Sequence, residues 1–166
     1  ASVVACGDGA HYRGNARRLD DFAEVSPDSQ LPAAQLAQNT FNTGMMILRQ
    51  DALSKANYHN LVSMVEPDRW ADDTTGHTDQ MLFNIHFSGK QALAPIRYNY
   101  LITHRDLIQS ASGCRLEDAA VVHFTGAAKP WLPAERLTAL GIDSRYFEAY
   151  AKWRHAASQI EATVFP

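Results

Sequence analysis

The residues best suited to chemistry in this 166-residue chain fall in one stretch, Val121-Val122-His123-Phe124-Thr125-Gly126-Ala127-Ala128-Lys129-Pro130-Trp131. An imidazole nitrogen can ligate a metal, a glycine lets backbone amides approach a ligand closely, and a lysine ammonium is a point charge suited to phosphate. Pro130 stiffens the turn that follows, and Trp131 is placed to pack over it. The order His123, Gly126, Lys129 therefore suggests a metal-diphosphate site. Taken singly, the same residues read as a core histidine, a turn glycine and a surface lysine; the succession of types favours the site.

Such side chains need elements to hold them. Ala119 to Val122 are small or β-branched and follow the charged Glu117-Asp118. They predict a buried strand that delivers His123 to a loop, the position where α/β proteins keep their chemistry. In a second stretch, Asn42-x-Gly44 directly precedes the apolar run Met45 to Leu48, which reads as a central strand. An asparagine there can donate to and accept from sugar hydroxyls, and the glycine leaves room beside the backbone; the alternative is an Asx-turn with a permissive glycine. In a third, Thr78 caps a helix with Asp79 and Gln80 in its first turn, ahead of Met81, Leu82, Ile85 and Phe87, and Gly89 stops it. An acid in a first turn is ordinarily a partner for the helix dipole.

Three segments together carry a resemblance. His123 to Trp131 resembles the His-x-x-Gly-x-x-Lys-Pro-Trp segment of glycosyltransferase family 8, Phe41-Asn42-Thr43-Gly44 resembles its Phe-Asn-x-Gly segment, and Asp79 to Asn84 its Asp-Gln-x-x-x-Asn segment, all in the family's order. The resemblance implies an α/β fold, the C-terminal part of a GT-A (Rossmann-like) nucleotide-diphospho-sugar transferase domain with a mixed sheet flanked by helices. It implies transfer of a hexosyl group from a UDP-sugar donor to a glycan acceptor hydroxyl with retention, assisted by Mn2+ (or Mg2+). On that basis His123 would ligate the metal, Lys129 and the amides near Gly126 would hold the diphosphate, and Asn42 and Gly44 would line the donor-sugar pocket. Asp79 would hydrogen-bond the reacting sugar and Gln80 would face its anomeric carbon. Tyr98, Asn99 and His104 are candidate acceptor contacts. With no carboxylate placed as a nucleophile, a front-face displacement fits better than a covalent intermediate.

The family's Asp-x-Asp metal motif has no counterpart here, since Asp20-Asp21 and Asp72-Asp73 are adjacent pairs. Residues 1–166 are accordingly expected to form the C-terminal portion of one catalytic domain, inactive by itself. Two rival readings follow: a non-catalytic sugar- or nucleotide-binding module of the same fold, and a small metal-binding domain built on His77, Asp79 and His123.

Composition narrows the remaining classes. A hydrophobic content of 46% supports one domain with a real core. A net charge of -3 with 15 scattered Lys and Arg gives no basic field for nucleic acid. No apolar run approaches the roughly 20 residues of a membrane helix, and Cys6 and Cys114 lack any framework spacing, so a reducing, cytoplasmic setting is expected. The C-terminal aromatic and basic helix, with Arg145, Lys152 and Arg154, leaves peripheral contact with the inner membrane face open.

Along the rest of the chain, Ser2 to Ala5 predict a short strand turning at Gly7-Asp8-Gly9. His11 to Asn39 reads as a Pro-broken surface excursion with a helical turn near Leu19 to Val25. Asp51 is expected to cap a helix to about Val65 with a buried stripe, and Trp70 to Gly76 reads as a loop. Arg105 to Cys114 reads as a polar connection, and Pro133 to Leu140 as a short helix ended by Gly141. Asp143 is expected to cap a longer helix with Tyr146, Phe147, Tyr150, Trp153, Ala157 and Ile160 on one packing face.

Overall fold

A computed structural model of the chain describes residues 1–13, 40–65 and 78–164. Of the excursion expected over His11 to Asn39, His11 to Arg13 instead close a short helix, Gly9–Arg13; its helical turn near Leu19 to Val25, the two Asp-Asp pairs, the Trp70 to Gly76 loop and His77 lie outside the described residues.

The organising strand is β1 (Val3–Gly7), flanked by β2 (Phe41–Leu48) and β3 (Gln91–Ala94) in the order β2-β1-β3. β1 runs antiparallel to β2 and parallel to β3, a mixed sheet in an α/β fold. The expectation that Met45 to Leu48 form the central strand is corrected: among the described residues β2 lies at an edge. Only one of its faces is covered, with Met46 and Leu48 packed on Val3, Ala5, Phe41 and Phe87 while Ile47 is 61% exposed. A continuous apolar run looks doubly buried in sequence even when alternate residues face solvent.

The β1–β2 ladder has an irregularity that matters for the site. Ala5 pairs with Met46 and Gly7 with Phe41, so Asn42 to Met45 stand opposite Cys6 alone. Such a bulge lifts residues out of the ladder and re-aims their side chains.

Helix α1 (Gly9–Arg13) follows β1, and α2 (Lys55–Ser63) follows β2. The cap of α2 is Ser54, whose hydroxyl accepts from the Asn57 amide, and not Asp51, which accepts the Ser2 hydroxyl at 2.7 Å. Nor does α2 bury a stripe; none of its residues is buried. Helix α3 (Thr78–His86) packs inward through Gln80, Met81 and Asn84, and Gly89 (φ +74°) ends the segment in the left-handed conformation that suits glycine.

A second, two-stranded parallel sheet pairs β4 (Tyr100–Leu101) with β5 (Val122–His123). The buried strand expected over Ala119 to Val122 is thus shorter and later, and Val121 is 42% exposed. Pairing starts only where the chain meets β4, because Ala120 and Val121 spend their amides on the Arg97 carbonyl. The polar connection expected after Arg105 is a helix, α4 (Arg105–Ser112), anchored by the fully buried Ile108 and closed by Gly113. Its sequence is polar on balance, but Leu107, Ile108 and Ala111 fall at helical spacing on one side, a signal that the composition obscured. Helix α5 (Ala134–Ala139) ends near Gly141 as expected. Asp143 accepts the Arg145 amide in the turn that leads into α6 (Phe147–Val164). The expected packing face holds at Tyr146, in the turn before α6, and at Tyr150, both buried, but Trp153 and Ile160 are exposed.

Candidate active site

The strand directions bring one edge of the structure together. β1 ends at Gly7 and hands over Asp8; β2, running the other way, starts at the same edge with Phe41 and carries Asn42 as its second residue. Asn99 stands at the entrance to β4, and β5 ends on His123. Gln80 comes from the first turn of α3, and Asn84 of the same helix holds the start of β2 by a reciprocal pair, accepting from the Phe41 amide and donating to its carbonyl, both at 2.8 Å.

These side chains form one hydrogen-bonded relay. Asp8 Oδ2 accepts from Gln80 Nε2 at 2.8 Å, Gln80 Oε1 accepts from Asn42 Nδ2 at 2.9 Å, and Asn42 Oδ1 accepts from Asn99 Nδ2 at 2.9 Å. Asn99 Oδ1 then meets His123 Nδ1 at 3.0 Å. The direction of every link is fixed at two points. The backbone N–H of Gly44 donates to Asn42 Oδ1, so that atom is the carbonyl oxygen; the Asp8 carboxylate can only accept, so Gln80 must present its amide nitrogen. Asn99 therefore turns its oxygen to the histidine, whose Nδ1 carries the proton. His123 Nε2 is left with a free lone pair, the form in which imidazole binds a metal.

Electrostatics agree with that state. Burial, and then the Lys129 ammonium, push the His123 pKa below its ordinary value, which keeps the ring neutral. Gly44 makes the placement sterically workable, since a Cβ there would stand 2.1 Å from His123 Cε1. Gly126 serves differently: at φ +69° it holds the left-handed turn after His123, with open space where a side chain would be. Lys129 closes this turn by donating to the Phe124 carbonyl at 3.0 Å.

The remaining predicted residues divide. Asp79 is exposed at the rim, with the Thr43 hydroxyl 3.3 Å from Oδ2. Gln80 and Asn99 are buried, with their amide groups engaged by protein partners. Tyr98 does not join the cluster; it lines an apolar groove with Cys6, Met45, Ile47 and Ala94. His104 meets the Thr103 hydroxyl at 3.0 Å and crowds Gly9, next to Asp8.

Sequence reasoning missed Asp8 as a site residue. It is 2% exposed, and its other oxygen accepts from the Thr40 hydroxyl at 2.6 Å and the His11 amide at 2.9 Å. The available signal was an acid between two glycines at the end of an apolar run.

Among the described residues no group of three or more His, Cys, Asp or Glu side chains converges on a point that could hold a metal ion. Cys6 and Cys114 are free thiols.

In this α/β frame the polar side chains gather at strand ends, the region where open α/β sheets keep their ligand sites. Residues 2–135 match glycosyl transferase family 8. The chain belongs to that family and is a glycosyltransferase domain, acting between a sugar donor and an acceptor. All three motif segments lie inside the matched residues up to Glu135, and α6 lies outside them. No curated protein and no solved structure matches the chain. No described helix is long and apolar enough to cross a membrane.

Proposed function

We propose that this domain transfers a hexosyl group from a UDP-sugar to an acceptor hydroxyl with retention at the anomeric carbon, assisted by Mn2+ or Mg2+. The observation that carries the reading is the relay from Asp8 to His123, which leaves His123 neutral with Nε2 unprotonated. A divalent cation bound there would neutralise charge on the departing diphosphate. His123 would supply one nitrogen ligand to it, and Mn2+ accepts such mixed nitrogen and oxygen ligation. Lys129, beside His123 and tied to the same turn, adds fixed positive charge for the phosphates. Gln80 and Asn42 hold each other at the sugar-facing edge, and Asp79, exposed at the rim, is free to accept from a sugar hydroxyl. One imidazole is a weak cation site, so the chain alone is expected to bind UDP and Mn2+ poorly, the carboxylates of an Asp-x-Asp segment completing the shell in a full catalytic domain.

The second reading, a non-catalytic sugar- or nucleotide-binding module, draws on the single metal ligand among the described residues. Product analysis separates the two. Incubation of the complete catalytic domain with UDP-hexoses and Mn2+, followed by NMR of the product's anomeric proton, is expected to show the donor's configuration kept. His123→Ala should raise the Mn2+ concentration for half-maximal rate, with excess metal recovering part of the activity, and Lys129→Ala should weaken UDP binding at any metal concentration. UDP binding without turnover would favour the module.

A further inference from the structure

β5 separates two sites. His123 turns its ring to Asn99 and Gly44, whereas its neighbours Val122 and Phe124 line a different cavity of about 620 Å³, bounded also by Arg105 on α4 and Trp153 on α6. That volume falls within the range of roughly 300–1,000 Å³ typical of small-ligand pockets.

Most charges around this cavity are already neutralised. Arg145 pairs with Asp143 at 2.9 Å and Asp106 at 3.5 Å, and Lys152 with Glu148 at 2.8 Å. Arg105 differs, having no carboxylate at ion-pair distance among the described residues. Its guanidinium rests on the Tyr146 ring, 5.3 Å from the centroid, and its Nε is buried without an acceptor. Buried polar groups seldom stay unmet, and this one belongs to a cationic side chain that lines the cavity. A guanidinium matches carboxylate and phosphate geometry. Trp153, 38% exposed, offers an aromatic surface against which the apolar face of a sugar ring can lie.

We propose that this cavity is a second carbohydrate site, taking an acidic sugar with its carboxylate or phosphate at Arg105 and its ring against Trp153. The choice of a carbohydrate body rests on the glycosyltransferase reading; the anion requirement rests on Arg105 alone. No side chain of the relay lines the cavity, so the two sites can fail independently.

The test is titration of the full protein with glucuronate, glucose 6-phosphate or neutral glucose, without UDP or metal, followed by tryptophan fluorescence and calorimetry. At least one acid is expected to bind saturably, with glucose at least tenfold weaker. Binding of glucuronate alone assigns a carboxylate ligand, and of glucose 6-phosphate alone a phosphate. Arg105→Met should weaken binding tenfold or more, and Trp153→Phe should remove the fluorescence change. If Arg105→Met melts early, Trp153→Ala, at a partly exposed position, should still weaken binding severalfold. Absence of binding by both acids, binding unchanged in Arg105→Met and Trp153→Ala, or binding lost in Lys129→Ala instead would overturn the proposal.

Discussion

A methyl group on Gly44 would stand 2.1 Å from Cε1 and 2.6 Å from Nδ1 of His123, so the imidazole rests against the bare backbone of the β2 bulge. Two motif segments separated by some eighty residues therefore meet face to face. The glycine between Asn42 and the strand is a steric requirement of the histidine, while its amide sets the polarity of the relay through Asn42.

Gly44→Ala should consequently act on His123. Overpacking of this kind typically costs about 1–3 kcal/mol, and a displacement of the ring by about 1 Å can cost roughly 10²-fold in rate. The expected result is a modest loss in urea melts together with a large loss of turnover and a raised metal requirement. Unchanged kinetics would show that His123 does not need this position.

Residue type and motif singled out His123, Asn42 and Gln80, and the structure brings these three into one relay. The site was opaque where the role depends on pairing. Asn99 carries no sign in sequence that it orients His123, and Asp8 looked like part of a turn, because both acquire their roles only when strand ends from distant segments converge. The fold shows the same limit. Glycine stops at Gly89 and Gly141 and the Asp143 cap are local and were readable, whereas the edge position of β2 and the two-residue length of β5 are set by neighbours.

Asp8→Asn tests the relay itself. If the new amide nitrogen faces Gln80, Gln80 must turn over, then Asn42, until an amide nitrogen meets the Gly44 N–H, which cannot reverse. A donor left unmet at the buried Asp8–Gln80 end costs about 1–3 kcal/mol, whereas one at the exposed Gly44 amide can turn to water and costs less. Denaturant melts should show that loss, and the Mn2+ concentration for half-maximal rate should rise because the His123 tautomer is no longer enforced. A stability change without any change in metal dependence would confine Asp8 to a structural role.

Asp79→Asn separates chemistry from helix capping. Asp79 is exposed and sits in the first turn of α3, where loss of its charge costs at most about 1 kcal/mol. If Asp79 contacts the sugar during reaction, turnover should fall by orders of magnitude with UDP affinity nearly intact. Near-normal turnover with a slightly lower melting temperature would identify a capping acid.

His86 gives the protein a pH dependence independent of catalysis. Its Nε2 lies 2.9 Å from Asn57 Oδ1, and Asn57 is held in turn by donating to the Asp51 and Ala52 carbonyls, so His86 Nε2 carries the proton and joins α3 to α2. Burial, and then Lys90, push the His86 pKa below its ordinary value. A histidine depressed in the folded state takes up its proton first in the unfolded chain. Its stability contribution is therefore complete above the unfolded pKa of about 6.5 and is lost as pH falls toward the lower folded value. His123 acts in the same direction. His86→Gln keeps an N–H donor for Asn57 but cannot titrate. Urea melts at about pH 7.5 and about pH 5.5 should show a smaller acid-induced loss in His86→Gln than in the native protein, and an equal loss would mean that His86 titrates alike in both states.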